Sequence, residues 1–312
     1  SRRLAALRAV ARKRGELYDE RRLGQMGKKY NPACTKELQE LLEKDVRLGD
    51  IDTSLITDMT ELFLRSKRKN FDGLETWNTS NVTTMKGMFC YAKYFNHPIE
   101  CWDVSKVRDM SRMFSEASAF DQPLEGWDVS NVRNMESMFA SAHSFNRPLE
   151  GWNVSNAENM RCMFYYAKSF NRPLNSWNVS KVCDISCMFC GAQSFDQPLD
   201  EWDTSSVTDM GMTFSMCPEF DQNIDSWDTS KVEDMSGMFT KAARFNQPLN
   251  SWRTGGVRDM SGMFRGASSF DQPLDKWDVS RGETAEKMFN DAASFSRPPD
   301  MGPISRACYV QD

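Results

Sequence analysis

The sequence predicts an α/β repeat solenoid, a stack of about ten coils built from short parallel strands and short helices, with a helical cap at its amino-terminal end. Three observations predict it. All nine Trp fall at 25-residue intervals, from Trp77 to Trp277. Phe stands twelve and eighteen residues after each Trp, which accounts for eighteen of the twenty Phe. Met stands eight residues after Trp in seven of the nine units and eleven after it in eight. A 25-residue unit cannot bury a Trp, two Phe and two Met alone, whereas stacked units bury them against their neighbours.

The unit from Trp127 to Gly151 shows what each column is expected to do. Trp127 and Val129 alternate with polar residues, and Leu124 precedes them, which suits a short strand with one face inward. Ser130 is a candidate helix N-cap, its hydroxyl able to accept from a free backbone N–H. Val132, Met135, Met138, Phe139, Ala142 and Phe145 recur at steps of three and four, the apolar stripe of a helix that starts at Ser130 or near Met135. Asn146-Arg147-Pro148 ends it and turns the chain. Ala fifteen residues after Trp, in eight of nine units, marks a position too tight for a larger side chain; Cys217 replaces it once. Nine units span residues 77–301, and a degenerate first repeat spans 50–76, with Ile51 in place of Trp and an extra residue near Arg65 to Lys69. With strands about 4.8 Å apart, ten layers give a body on the order of 50 Å long.

The ends differ from the repeats. Residues 1–30 form a basic arm with ten Lys/Arg against three Asp/Glu, while the rest of the chain is acidic enough to bring the net charge to -5. In the arm, Leu4, Leu7 and Val10 are spaced for one helical face. Residues 31–49 are expected to form the amino-terminal capping helix: Thr35 can cap it, and Leu38, Leu41, Leu42 and Val46 make one apolar stripe to cover the first coil. Residues 302–312 form a polar carboxy-terminal tail. The candidate partner-contact residues are the cations outside the repeat register: Arg2, Arg3, Arg8, Arg12, Lys13, Arg14, Arg21, Arg22, Lys28 and Lys29 in the arm, and Arg65, Lys67, Arg68 and Lys69 in the insertion. The expected partners are proteins of a larger complex, with RNA or an anionic surface within reach of residues 1–30. No run of about 18 apolar residues exists to span a membrane. The Arg-rich, acid-poor start has the flavour of an organelle transit segment, and nine irregularly placed Cys read as free thiols. Together they point to an intracellular, reducing compartment, the mitochondrion being the organellar reading.

Several motifs invite a chemical reading, and each has a plainer one. Two His leave little room for His-based catalysis or a multi-His metal site. Cys183, Cys187 and Cys190 match the spacing of a three-thiolate iron–sulfur loop, but Met188 and Phe189 between them are ordinary repeat residues. Cys162 and Cys187 occupy the same column of adjacent repeats and can approach one another. Asp or Asn stands one and nineteen residues after Trp in eight of nine units; Asn replaces Asp freely, as turn hydrogen bonds allow and a calcium site would not. The sequons at Asn78, Asn81, Asn153 and Asn178 fall out of the repeat consensus. The aromatic columns are core rather than base-stacking platforms, since the repeat body is acidic. The departures from consensus remain as candidate contacts, among them Thr213, Met216, Cys217 and Asn223 in one unit and Arg253, Gly255 and Gly256 in another. No catalytic residue, cofactor or metal site is expected.

The phrases F-N-Q-P-L-N-S-W (Phe245 to Trp252) and W-D-V-S-N-V-R-N-M-E-S-M-F (Trp127 to Phe139) resemble the BspA-like leucine-rich-repeat family, known from surface proteins. The resemblance implies a leucine-rich-repeat-like solenoid with a binding or adhesive role and no catalytic residues. The expected function is therefore a non-enzymatic protein–protein interaction scaffold, an accessory or structural subunit docked on a larger assembly through its basic arm and solenoid surface. The alternatives are a nucleic-acid-associated subunit, such as a ribosomal one, acting through the arm, and a cell-surface adhesin-like binding protein.

Overall fold

A computed structural model describes residues 27–296. Successive repeats lie side by side, joined by one parallel bridge per pair in an unbroken series: Asp58 to Thr84, Thr84 to Asp109, and on in 25-residue steps to Asp259 and Thr284. The bridging residue stands seven after Trp in every full repeat, so the stack is in register from end to end.

The expected helices and strands are not what the repeats form. Among the described residues the one α-helix, α1, is Thr35–Glu43 before the first repeat, and the strands shrink to single-residue bridges. The stretch from Met135 to Phe145 is instead a run of overlapping turns: Met138 N–H donates to Met135 O, Ala142 to Phe139 and Phe145 to Ala142. A bond to the third residue back returns side chains to one face every three residues, so apolar spacing alone does not separate such turns from a helix. The backbone does separate them. Ser137 and Ser141 have φ of 55°, and the equivalent positions, ten and fourteen after Trp, are left-handed in all nine repeats. Each left-handed residue reverses the local twist and prevents propagation as a helix. Ser130 caps nothing; its own N–H donates to Asp128 Oδ1 at 3.0 Å in an Asx turn.

From Met135 to Ala142 most backbone donors are used in one of two ways. The N–H groups at eight, ten, twelve and fourteen after Trp cross to the next coil, as Met135 to Asn159 O, Ser137 to Arg161 O, Phe139 to Met163 O and Ser141 to Tyr165 O. Those at eleven, thirteen and fifteen close turns within the coil, as Met138, Ala140 and Ala142 do. The alternation pairs the N–H groups at these seven positions, and its hydrogen bonds sustain the non-glycine residues at positive φ.

Tryptophan stitches the opposite side. Each indole Nε1 donates to the carbonyl of the Leu or Ile twenty-eight or twenty-nine residues earlier, at 2.9–3.2 Å, from Trp77 on Leu48 to Trp277 on Leu249. The same carbonyl also accepts a backbone N–H within its own coil: Leu149 O takes Trp152 N–H at 3.0 Å and Trp177 Nε1 at 2.9 Å. Both lone pairs are thereby satisfied in a site where Trp177 is 2% exposed.

Between the two seams lie the Phe ladders. Phe twelve and eighteen after Trp stack within a coil at 3.7–4.2 Å between ring centres. The first ladder repeats between coils at 5.4–5.9 Å. Facing Trp rings stand 6.0–6.4 Å apart. Hydrogen-bonded parallel backbones stand only about 4.8 Å apart. The Ala column sits fully buried beside Phe, as at Ala117, Ala142 and Ala167, which accounts for its small size.

The amino-terminal end is closed by α1. Leu38 is fully buried, and Leu41, Leu42 and Val46 pack against the core from partly exposed positions. Its N-cap residue is Cys34 rather than Thr35; the Thr35 hydroxyl donates instead to Asp58 O at 2.7 Å, tying the helix to the first coil. No described helix is long and apolar enough to cross a membrane.

Trp177→Phe keeps an aromatic ring but removes the donor and leaves a void beside Leu149. It is expected to cost roughly 2–4 kcal/mol, read as a lower denaturation midpoint of the full chain in urea. An unchanged midpoint would show that the indole bond does not hold the coils together.

Candidate functional site

Among the described residues, every buried side-chain nitrogen or oxygen has a hydrogen-bond partner. The departures from consensus are mostly absorbed the same way. Thr213 is fully buried and its hydroxyl donates to Met210 O at 2.7 Å; Cys217 is fully buried against Phe189 O; Asn223 accepts the Asp225 N–H at 2.9 Å. The sequon residues likewise carry turns, with Asn78, Asn153 and Asn178 accepting from Ser80, Ser155 and Ser180 N–H, while Asn81 donates to Ser54 O. Asp and Asn nineteen after Trp form a ladder, each Oδ1 accepting the next coil's N–H, as Asn171 on Asn146 and Asp196 on Asn171. Among the described residues no three His, Cys, Asp or Glu are grouped to hold a metal, Cys183, Cys187 and Cys190 included.

The predicted contact residues separate into three groups. Arg2, Arg3, Arg8, Arg12, Lys13, Arg14, Arg21 and Arg22 lie outside the described residues. Lys28 and Lys29 are engaged internally. Lys28 Nζ donates to Gly49 O at 2.9 Å and Thr76 Oγ1 at 2.8 Å, and burial holds its pKa below the usual lysine value; Lys29 pairs with Asp50 at 3.3 Å. The insertion supplies the third group. Arg68 is half-buried and pairs with Asp45 beyond α1, which fixes the loop. Lys67 is exposed. Arg65 lies 5.6 Å from the centre of the Tyr91 ring and Lys69 lies 5.2 Å from that of Tyr94. Both tyrosines are strongly exposed, at 43% and 56%, beside exposed Leu64. A groove of about 930 Å³ opens beside them, lined by Leu42, Val46, Arg47, Arg68, Lys69 and Asn70.

Tyr91 and Tyr94 are the residues that the sequence reading missed. They sit in variable columns, fourteen and seventeen after Trp77, where an aromatic side chain has no core role. That mismatch between side chain and column was the available signal. A second exposed group lies on the turn side of the middle coils. Tyr166 lies flat over Gly191, where a Cβ would meet the ring at 2.9 Å, and its hydroxyl reaches Met216 Sδ at 3.4 Å. Met212, 47% exposed, lines a separate groove of about 360 Å³ with Gly237, Gly262, Arg265, Glu286 and Lys287.

Along the same side Asp184, Asp209, Asp234 and Asp259 follow one another in the bridge column. Each Oδ1 accepts an N–H two residues on, at 2.7–2.9 Å. Asp209 is the middle of the row, and its pKa is raised, first by burial and then by Asp184 and Asp234 on either side.

Fold and core together define a repeat protein whose buried aromatic side chains stack from coil to coil. The family described as "Mycoplasma protein of unknown function, DUF285" matches in four overlapping stretches, residues 33–135, 101–202, 123–224 and 183–301, and the chain belongs to it. No curated protein matches the chain.

A raised carboxylate pKa destabilises the fold at neutral pH, and the penalty is lost as pH falls through the raised value toward the ordinary 3.8. Asp209→Asn keeps the oxygen that accepts Gly211 N–H and removes the charge. It is expected to stabilise the protein at pH 7 by up to about 1 kcal/mol, since half-exposed charges are screened. Melting curves should converge with the parent near pH 4; a gap independent of pH would place the effect elsewhere.

Proposed function

We propose that this protein is a non-enzymatic interaction scaffold, a leucine-rich-repeat-like solenoid of the BspA-like kind that docks on a larger assembly. The observation that carries this reading is the amino-terminal edge, where Arg65 and Lys69 lie over the exposed rings of Tyr91 and Tyr94 beside an open groove. Exposed Tyr and Arg are the side chains that supply most binding energy at protein interfaces. The eight described cysteines are all free thiols, which favours an intracellular, reducing location.

The basic arm favours a second reading, a nucleic-acid-associated subunit, and the same cation–aromatic pairs suit stacked bases on a phosphate backbone. The two readings part on salt. Binding through phosphates weakens steeply between about 50 and 200 mM salt, whereas a tyrosine-anchored protein interface does not.

Isolation from native extract under gentle conditions, with the parent and a Tyr91→Ala, Tyr94→Ala double variant, tests the scaffold. A polypeptide in fixed stoichiometry with the parent, lost from the variant at unchanged melting temperature, is the expected result. Recovery of the parent as a lone monomer would remove the reading.

A further inference from the structure

We propose that Cys162 and Cys187 form a redox-active dithiol that closes into a disulfide between adjacent coils on meeting a low-molecular-weight disulfide. The two residues stand ten after Trp in consecutive repeats, and each has φ of 55°, so their side chains leave identical backbones in the same direction. Cys162 N–H donates to Ser186 O at 2.9 Å, the carbonyl next to Cys187, which makes the two cysteines lateral neighbours across the hydrogen-bonded seam. Such neighbours lie about 4.8 Å apart, inside the roughly 4.4–6.8 Å that a disulfide spans between Cα atoms. Side chains in this column do touch along the stack: a Cβ at Gly237 would stand 3.2 Å from Met212 Cγ. The other full-repeat positions in the column are Gly87, Arg112, Ser137, Met212, Gly237, Gly262 and Lys287, so this is the column's one pair of thiols.

The surroundings make the pair reactive and directional. Both cysteines are half-exposed on the turn side, within reach of a small oxidant. Arg161 donates to Ser186 Oγ at 3.2 Å and so places its guanidinium across the two coils that carry the thiols. Cys162 is held below the ordinary thiol range, first by a hydrogen bond from the Cys187 thiol and then by Arg161, against the opposing effect of burial. Cys187 keeps its proton and is pushed up, by the same hydrogen bond and by burial. The neighbouring Cys190 is buried and pushed up to about 11, which removes it as a competitor.

The chemistry balances without a metal or an added cofactor. Cys162 thiolate attacks one sulfur of the small disulfide; the S–S bond breaks and the first thiolate leaves. The Cys187 thiol then gives up its proton and attacks Cys162 sulfur, expelling the second thiolate. Two protein thiols and one small disulfide become one protein disulfide and two small thiols, with two electrons passed to the oxidant. A bridge here ties the coil of Trp152 to that of Trp177. This chemistry does not depend on the scaffold reading.

Oxidised glutathione added to the reduced full-length chain, followed by thiol blocking, non-reducing digestion and mass spectrometry, tests the proposal. The parent should yield a Cys162–Cys187 linked peptide, with fragmentation separating Cys187 from Cys183 and Cys190. Cys187→Ser should stop at a mixed disulfide on Cys162, and Cys162→Ser should lose both products. A parent that accumulates the mixed disulfide without the cross-link overturns the proposal. So does a cross-link through Cys183 or Cys190, or a Cys187→Ser variant left unmodified at Cys162.

Discussion

One hydrogen bond, from each tryptophan indole to a carbonyl of the preceding coil, is what the rest of the stack depends on. It is made nine times, and each time the accepting carbonyl also holds a backbone N–H of its own coil. A buried indole N–H without a partner is costly, as is a buried carbonyl half used. Only one offset between coils satisfies both. Translation by a single residue would orphan the indole donor in every repeat at once and leave each carbonyl with only its bond within the coil. The tryptophan column therefore sets register as well as filling space, and the Phe ladders inherit their alignment from it.

The opposite side of each coil solves a different problem. Its backbone alternates between bonds to the next coil and bonds to the third residue back. That alternation requires a left-handed residue ten and fourteen after Trp, and the chain adopts it with Ser, Cys, Tyr, Met, Lys or Arg as well as with Gly. Side chains at these two positions project from the backbone away from the core. They are free to vary, and the variation creates the exposed Tyr91, the Tyr166–Gly191–Met216 surface and the Cys162–Cys187 pair. The constraint that builds the stack thus also assigns which columns can carry function.

Much of this was legible in the residues. The 25-residue period, the buried columns and the capping role of Leu38 follow from apolar spacing, and the freely exchanging Asp and Asn read correctly as turn formers. The helix in each repeat did not, because a run of three-residue turns and an amphipathic helix place Met135, Met138 and Phe139 on one face alike. Gly87, Gly237 and Gly262 ten after Trp and Gly191 and Gly266 fourteen after it were the trace of positive φ, diluted by other residues in the same columns. At the edge, the cations of the insertion were visible by charge alone, but their division into structural Arg68 and aromatic-facing Arg65 and Lys69 was not.

By itself the sequence determined that nine similar units stack, which columns are buried and where the pattern begins and fails. Periodicity can do this because burial recurs at the same offset in each unit. The tertiary structure alone decided the local conformation of each coil, since inter-coil hydrogen bonds outweigh the intrinsic preference against left-handed residues. It also decided which side chains meet across coils: Trp177 with Leu149, Lys69 with Tyr94, and Tyr166 with Met216 across Gly191. The 25-residue spacing already placed Cys162 and Cys187 in one column, and the inter-coil hydrogen bonds made them lateral neighbours.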